Sequence, residues 1–60
     1  MKVYIVETGN GYDGYDIEGV HSNKDIAFEK ALKINPCEGE IRRVIEWEVD
    51  TGNSQIWWID

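Results

Sequence analysis

Among the scarcities of this 60-residue chain are single residues of cysteine, histidine and proline, and each removes a class of explanation. Cys37 has no internal partner, so no disulfide framework holds the fold, and a reducing cytosol is the expected setting. His21 is the sole imidazole, so no Ser/His/Asp or Cys/His arrangement can be built, and its place before a helix start reads as that of a capping neighbour. Cations are scarce too: six Lys and Arg stand against twelve Asp and Glu, a formal charge of -6. Every phosphate contact needs a cation, so direct binding to nucleic acid is disfavoured. No apolar run approaches the ~20 residues of a membrane span, and no basic-plus-apolar leader opens the chain, so a soluble cytoplasmic protein is expected.

Sixty residues allow one compact domain, residues 1–60. A chain of this size hides only about 60% of the surface its unfolded form exposes, so a homodimer or a tight partner is expected from size alone. What is abundant is β-formers and aromatics: three Trp, three Tyr and one Phe make the chain too apolar for disorder. All three tryptophans lie in the last third. There Ile41-Arg42-Arg43-Val44-Ile45-Glu46-Trp47-Glu48-Val49 alternates as a strand, Asp50-Thr51-Gly52-Asn53 turns, and Gln55-Ile56-Trp57-Trp58-Ile59 returns. This hairpin is expected to supply much of the core.

Lys2–Glu7 is a first strand, and Tyr15–Val20 a second, joined by a long mobile loop rich in glycine. Ser22 and Asp25 are spaced as a capping box for a helix over 23–34, with Ala27, Phe28, Ala31, Leu32 and Ile34 on its inner face and Asn35-Pro36 as its stop. The order ββαββ predicts an α+β fold, a four-stranded mostly antiparallel sheet with one helix on one face. One helix covers one face only. By alternation Tyr4, Val6, Val44 and one of Trp57 or Trp58 are assigned to the open face, ringed by Asp16, Glu18, Glu46 and Glu48, and these form the candidate protein-binding site.

Three motifs resemble functional sites. Gly9-Asn10-Gly11-Tyr12-Asp13-Gly14 spells G-x-G-x-x-G after a strand, but phosphate binding needs a helix N-terminus behind the glycines, and a strand follows here. A hairpin loop is the better reading. Val49–Trp57 resembles the D-T-G segment of pepsin-like and retroviral aspartic proteases, whose aspartate shares a proton with a second one. The chain ends ten residues after Asp50, without that family's flap, so a turn is expected. Asp13, Asp16 and Glu18 offer oxygens to calcium but lack EF-hand spacing, and a solvated acidic edge is expected. No catalytic residue, cofactor or metal is assigned.

K-V-Y-I-V-E, Y-D-G-Y-D-I-E-G-V, S-N-K-D-x-A-x-E-K-A and the E-W-E-V strand at Glu46-Trp47-Glu48-Val49 together resemble a group of small, mostly uncharacterised ββαββ proteins of phages and Bacillus-type bacteria. Phage proteins of this size and charge include inhibitors of bacterial immunity, the Hachiman anti-defence and anti-CRISPR proteins among them. The resemblance implies a non-enzymatic inhibitor in the host cytoplasm. Its partner would be a larger host protein, such as a nucleic-acid-handling defence enzyme, occluded directly or by DNA mimicry. Two alternatives stand beside it: a small-molecule sponge with a dimer groove lined by Tyr12, Tyr15 and tryptophans, and plain structural assembly.

Overall fold

The computed structural model describes residues 1–59. Its elements are β1 (Lys2–Asn10), β2 (Gly14–His21), α1 (Lys24–Leu32), β3 (Ile41–Glu48) and β4 (Ser54–Ile59). The four strands form one sheet in the order β2-β1-β3-β4, with every neighbouring pair antiparallel. This is the α+β, ββαββ architecture that the pattern predicts. The Cα extents of 34 × 23 × 15 Å describe a slab one sheet and one helix thick.

Both β2 and β3 run antiparallel to β1, so they are parallel to each other and α1 crosses between them over β1. The hand of such a crossover follows from backbone chirality, and that hand selects the face the helix covers. The covered face carries the even-numbered residues of β1. Val6 lies opposite Val44, which lies opposite Trp57, and Val6 and Val44 are fully buried with Ala27 and Ala31 of the helix. Two alanines let the helix approach closely. The core is therefore small: among the described residues, nothing fully buried is larger than valine.

This placement corrects the face assignment. Val6 and Val44 are under the helix and Tyr4 packs against the same core, so these three are not on the open face; of the two tryptophans offered for it, Trp57 packs on the core and Trp58, opposite Arg43, lies on the open side. Tyr4, Val6 and Val44 share one face because the pleat alternates with period 2; that face lies under the helix because the crossover, not alternation, sets the covered side. The C-terminal hairpin contributes less to the core than expected: Val44 is buried and Trp57 half-buried, while Trp47 and Trp58 are exposed.

The helix starts one residue later than the Ser22 capping box implies. Asn23 has extended backbone and its side-chain oxygen accepts from the Ile26 amide at 3.1 Å, a role in which Asn and Ser are about equal. It ends at Leu32, not Ile34. The following amides of Lys33 and Ile34 bond three residues back, to Lys30 and Ala31, and one Arg42 guanidinium nitrogen donates to the carbonyls of Ala31, Leu32 and Ile34 at 3.4, 3.3 and 3.1 Å. A cation at the negative end of a helix satisfies carbonyls that have no helical partner. Leu32, assigned inward, is exposed.

Candidate functional site: the open sheet face

The pleat puts Val3, Ile5, Glu7 and Gly9 of β1 on the side away from the helix, and the pairing registers extend that side across all four strands. Val20, Ile5, Ile45 and Ile56 face one another in a row, each on a different strand. The next row is Ile17, Glu7, Arg43 and Trp58. Trp47 lies opposite Val3 at one end, and Tyr15 opposite Gly9 at the other. Ile17, Val20, Ile41, Trp47, Ile56 and Trp58 are all exposed, with Trp58 at 55% and Ile17 at 62%. The helix thus leaves open the more apolar face of the sheet. Exposed apolar area of this kind is contiguous across all four strands.

One charged pair sits inside the patch. Glu7 Oε1 accepts from Arg43 Nε and lies 2.7 Å from Arg43 Nη2, and both side chains are largely buried by their neighbours. The guanidinium carbon lies 3.6 Å from the Tyr15 ring centroid and 5.4 Å from that of Trp58. The stack and the carboxylate neutralise and shield the cation. Among described strand residues, Glu7 is the one carboxylate and Arg43 the one cation whose register position faces this side. The face is electrically neutral although the chain is acidic.

The acidic residues proposed as a rim lie on the other side. Asp16 pairs with Thr8, Glu46 with Tyr4, and Glu48 with Lys2, all at covered-face positions. Glu18 is the extra residue of a β-bulge between the Val6 and Glu7 registers and accepts from the Thr8 hydroxyl at 2.9 Å. Trp57 is held there by Phe28, edge-on at 5.6 Å, and by the Lys24 ammonium 4.6 Å from its ring. Beyond the short helix, burial and the Glu46 carboxylate raise the Tyr4 phenol above the usual tyrosine range. A shallow depression of about 440 Å³ lies at that end, lined by residues that include Lys2, Glu46, Glu48 and Gln55 and no aromatic ring.

The motifs resolve into backbone geometry. Asn10 Oδ1 accepts from the amides of Tyr12 and Asp13 at 2.8 and 2.6 Å, which organises a three-residue loop, shorter than the long one expected. Gly9 has φ 151°, and a Cβ there would collide with the carbonyl oxygen of Gly14 and the backbone of Tyr15. Its glycine is required by strand contact, so the G-x-G-x-x-G run needs no phosphate to explain it. Asp50 sits in a turn at φ 80°, and the turn is closed by Gly52 N to Glu48 O at 3.0 Å and Glu48 N to Asn53 O at 2.7 Å. Tyr12 stands exposed on its loop, and the Tyr15 and Trp58 rings lie tilted with centroids 6.4 Å apart. Among the described residues no three His, Cys, Asp or Glu come together as a metal site, and no helix is long and apolar enough to cross a membrane.

A family model described as "Domain of unknown function (DUF7336)" matches residues 1–58. The chain belongs to the DUF7336 family. No curated protein matches it, and no solved structure does. The DUF7336 match covers β1, β2, α1, β3 and all but the last residue of β4.

Of the open-face residues, sequence reasoning offers Trp58 as one of two alternatives and does not find Val3, Ile5, Glu7, Tyr15, Ile17, Arg43, Ile45 or Trp47. Their signal was present: odd positions of β1 and β3 are more apolar than even ones, where Lys2, Thr8, Arg42, Glu46 and Glu48 fall. That pattern reads as a core face, and the helix sits opposite it.

Proposed function

We propose that this protein acts by binding other proteins rather than by catalysis, and that its two sides have different tasks. The observation that carries this reading is the segregation of charge: the open face is neutral and apolar, while Asp16, Glu18, Glu46 and Glu48 lie with the helix on the other side. An apolar centre anchors a protein contact, and a set of carboxylates selects a cation-rich target and speeds encounter with it. The target is a protein with a basic groove of the type that handles nucleic acid, which the carboxylates occupy in place of phosphates. Inhibition of a host defence enzyme is the specific form of this reading, in keeping with the resemblance to small phage proteins.

Immobilised protein incubated with host lysate tests it. A basic partner is expected whose retention falls as salt rises and disappears in the variant carrying Asp16→Lys, Glu18→Lys, Glu46→Lys and Glu48→Lys. Retention of no partner, or retention indifferent to those substitutions, counts against the reading.

A further inference from the structure

Four features of the apolar sheet face bear on what covers it. The first is the neutrality of the face. Two copies laid face to face oppose no net charge across the contact, although each chain carries -6, because the strand carboxylates other than Glu7 are on the far side. A patch that is neutral and aliphatic through its middle is complementary to itself.

The second is the size of the core. Among the described residues, Val6, Val44, Ala27 and Ala31 are the side chains buried completely as hydrophobic core, a small reserve for a domain of this length. A second copy is the one partner always present wherever the chain is made. The third is area. Four strands about 4.8 Å apart and six to nine residues long present a surface on the order of 500 Å² in projection and more in accessible area. That approaches the ~800 Å² per partner of a standard specific interface. The fourth is the state of the one ion pair. Glu7 and Arg43 already bond to each other and are already mostly shielded by Tyr15 and Trp58, so covering them further strands no unpaired charge.

We infer that the open face is the interface of a homodimer, in which two sheets stack as a sandwich with the Val20, Ile5, Ile45 and Ile56 rows against each other. Packed sheets lie about 10 Å apart with their strands nearly aligned. A two-fold axis through the middle of the patch places one patch on the other and leaves both helices outside. The acidic sides then point away from each other on the two outer surfaces of the dimer. The inference rests on the open face being a protein contact surface and is independent of what the acidic sides bind.

Light scattering from roughly 1 to 100 μM tests it, since a linked dimer dissociates on dilution. The expected mass is twice the chain's 6.9 kDa, with tryptophan emission shifted to the blue of its position in dilute samples. Ile45→Lys and, separately, the more exposed Ile56→Lys are expected to reduce the mass to that of one chain, while Glu29→Lys on the outer side of the helix leaves it doubled. A folded wild-type monomer at the highest concentration overturns the inference, whatever the lysate retains. A dimer unaffected by Ile56→Lys and with no intermolecular nuclear Overhauser contact between the Ile45 methyls and Ile5 or Ile56 also overturns it, because pairing through strand edges is then the mode of association.

Discussion

Arg43 lies with its guanidinium carbon 3.6 Å from the centre of the Tyr15 ring, stacked while the same group grips Glu7 from the adjacent strand. The two strands that meet here, β1 and β3, form the central pair of the sheet. Removing Arg43 therefore leaves a mostly shielded carboxylate without its partner. Arg43→Ala is expected to cost about 2 kcal/mol in urea denaturation, below the range for fully buried pairs because both side chains keep some solvent. Arg43→Lys recovers the charge and loses the stack and the fork, so it falls between the two. Replacing both partners, as Glu7→Gln with Arg43→Met, is expected to cost less than Arg43→Ala alone.

Arg42 caps the helix from a strand. Its bonds to the carbonyls of Ala31, Leu32 and Ile34 hold the last turn down on the sheet. Arg42→Ala is expected to destabilise the fold by about 2 kcal/mol, the scale of hydrogen bonds to a charged donor. Faster amide exchange at Lys33 and Ile34 than in the wild type locates the effect, and unchanged exchange there sinks the explanation.

The glycine-rich run gives a paired test. Gly9→Ala drives a methyl into the backbone of β2 at a positive φ and is expected to cost about 3 kcal/mol or more. Gly11→Ala meets open space and is expected to stay within about 0.5 kcal/mol of wild type in thermal unfolding. Equal effects would mean that the strand contact at Gly9 is not what the glycine is for.

Tyr4 makes stability depend on alkaline pH. Burial, then the charge and hydrogen bond of Glu46, raise its phenol above 10.0 in the folded state. The folded protein holds that proton more tightly than the unfolded chain, so the contribution is fully present below the unfolded value and is lost as pH rises through the folded one. Ultraviolet titration of phenolate is expected to show one tyrosine ionising late, absent in Tyr4→Phe and shifted downward in Glu46→Gln. Three tyrosines titrating together would contradict it.

Local chemistry made much of this readable in the chain. The five elements and their order follow from β-branched alternation, the Asn-Pro stop and the turn residues, each acting over a few positions. Much of the membership of the sheet's faces was legible: Tyr4, Val6 and Val44 share one face with Asp16, Glu18, Glu46 and Glu48, because side chains in a strand alternate whatever lies above them, while the choice of Trp57 over Trp58 for that face needed the β3–β4 register. Helix coverage of that face was not legible, since it depends on the hand of a crossover that spans β2 to β3. Nor were the Glu18 bulge, the Gly9 contact or the meeting of Arg43 with Glu7 across 36 positions. Alternation is a property of each strand alone, whereas the choice of exposed face is made only when the strands are paired and the helix is laid down, and tertiary structure alone left the Ile5, Ile45, Ile56 and Trp58 side open.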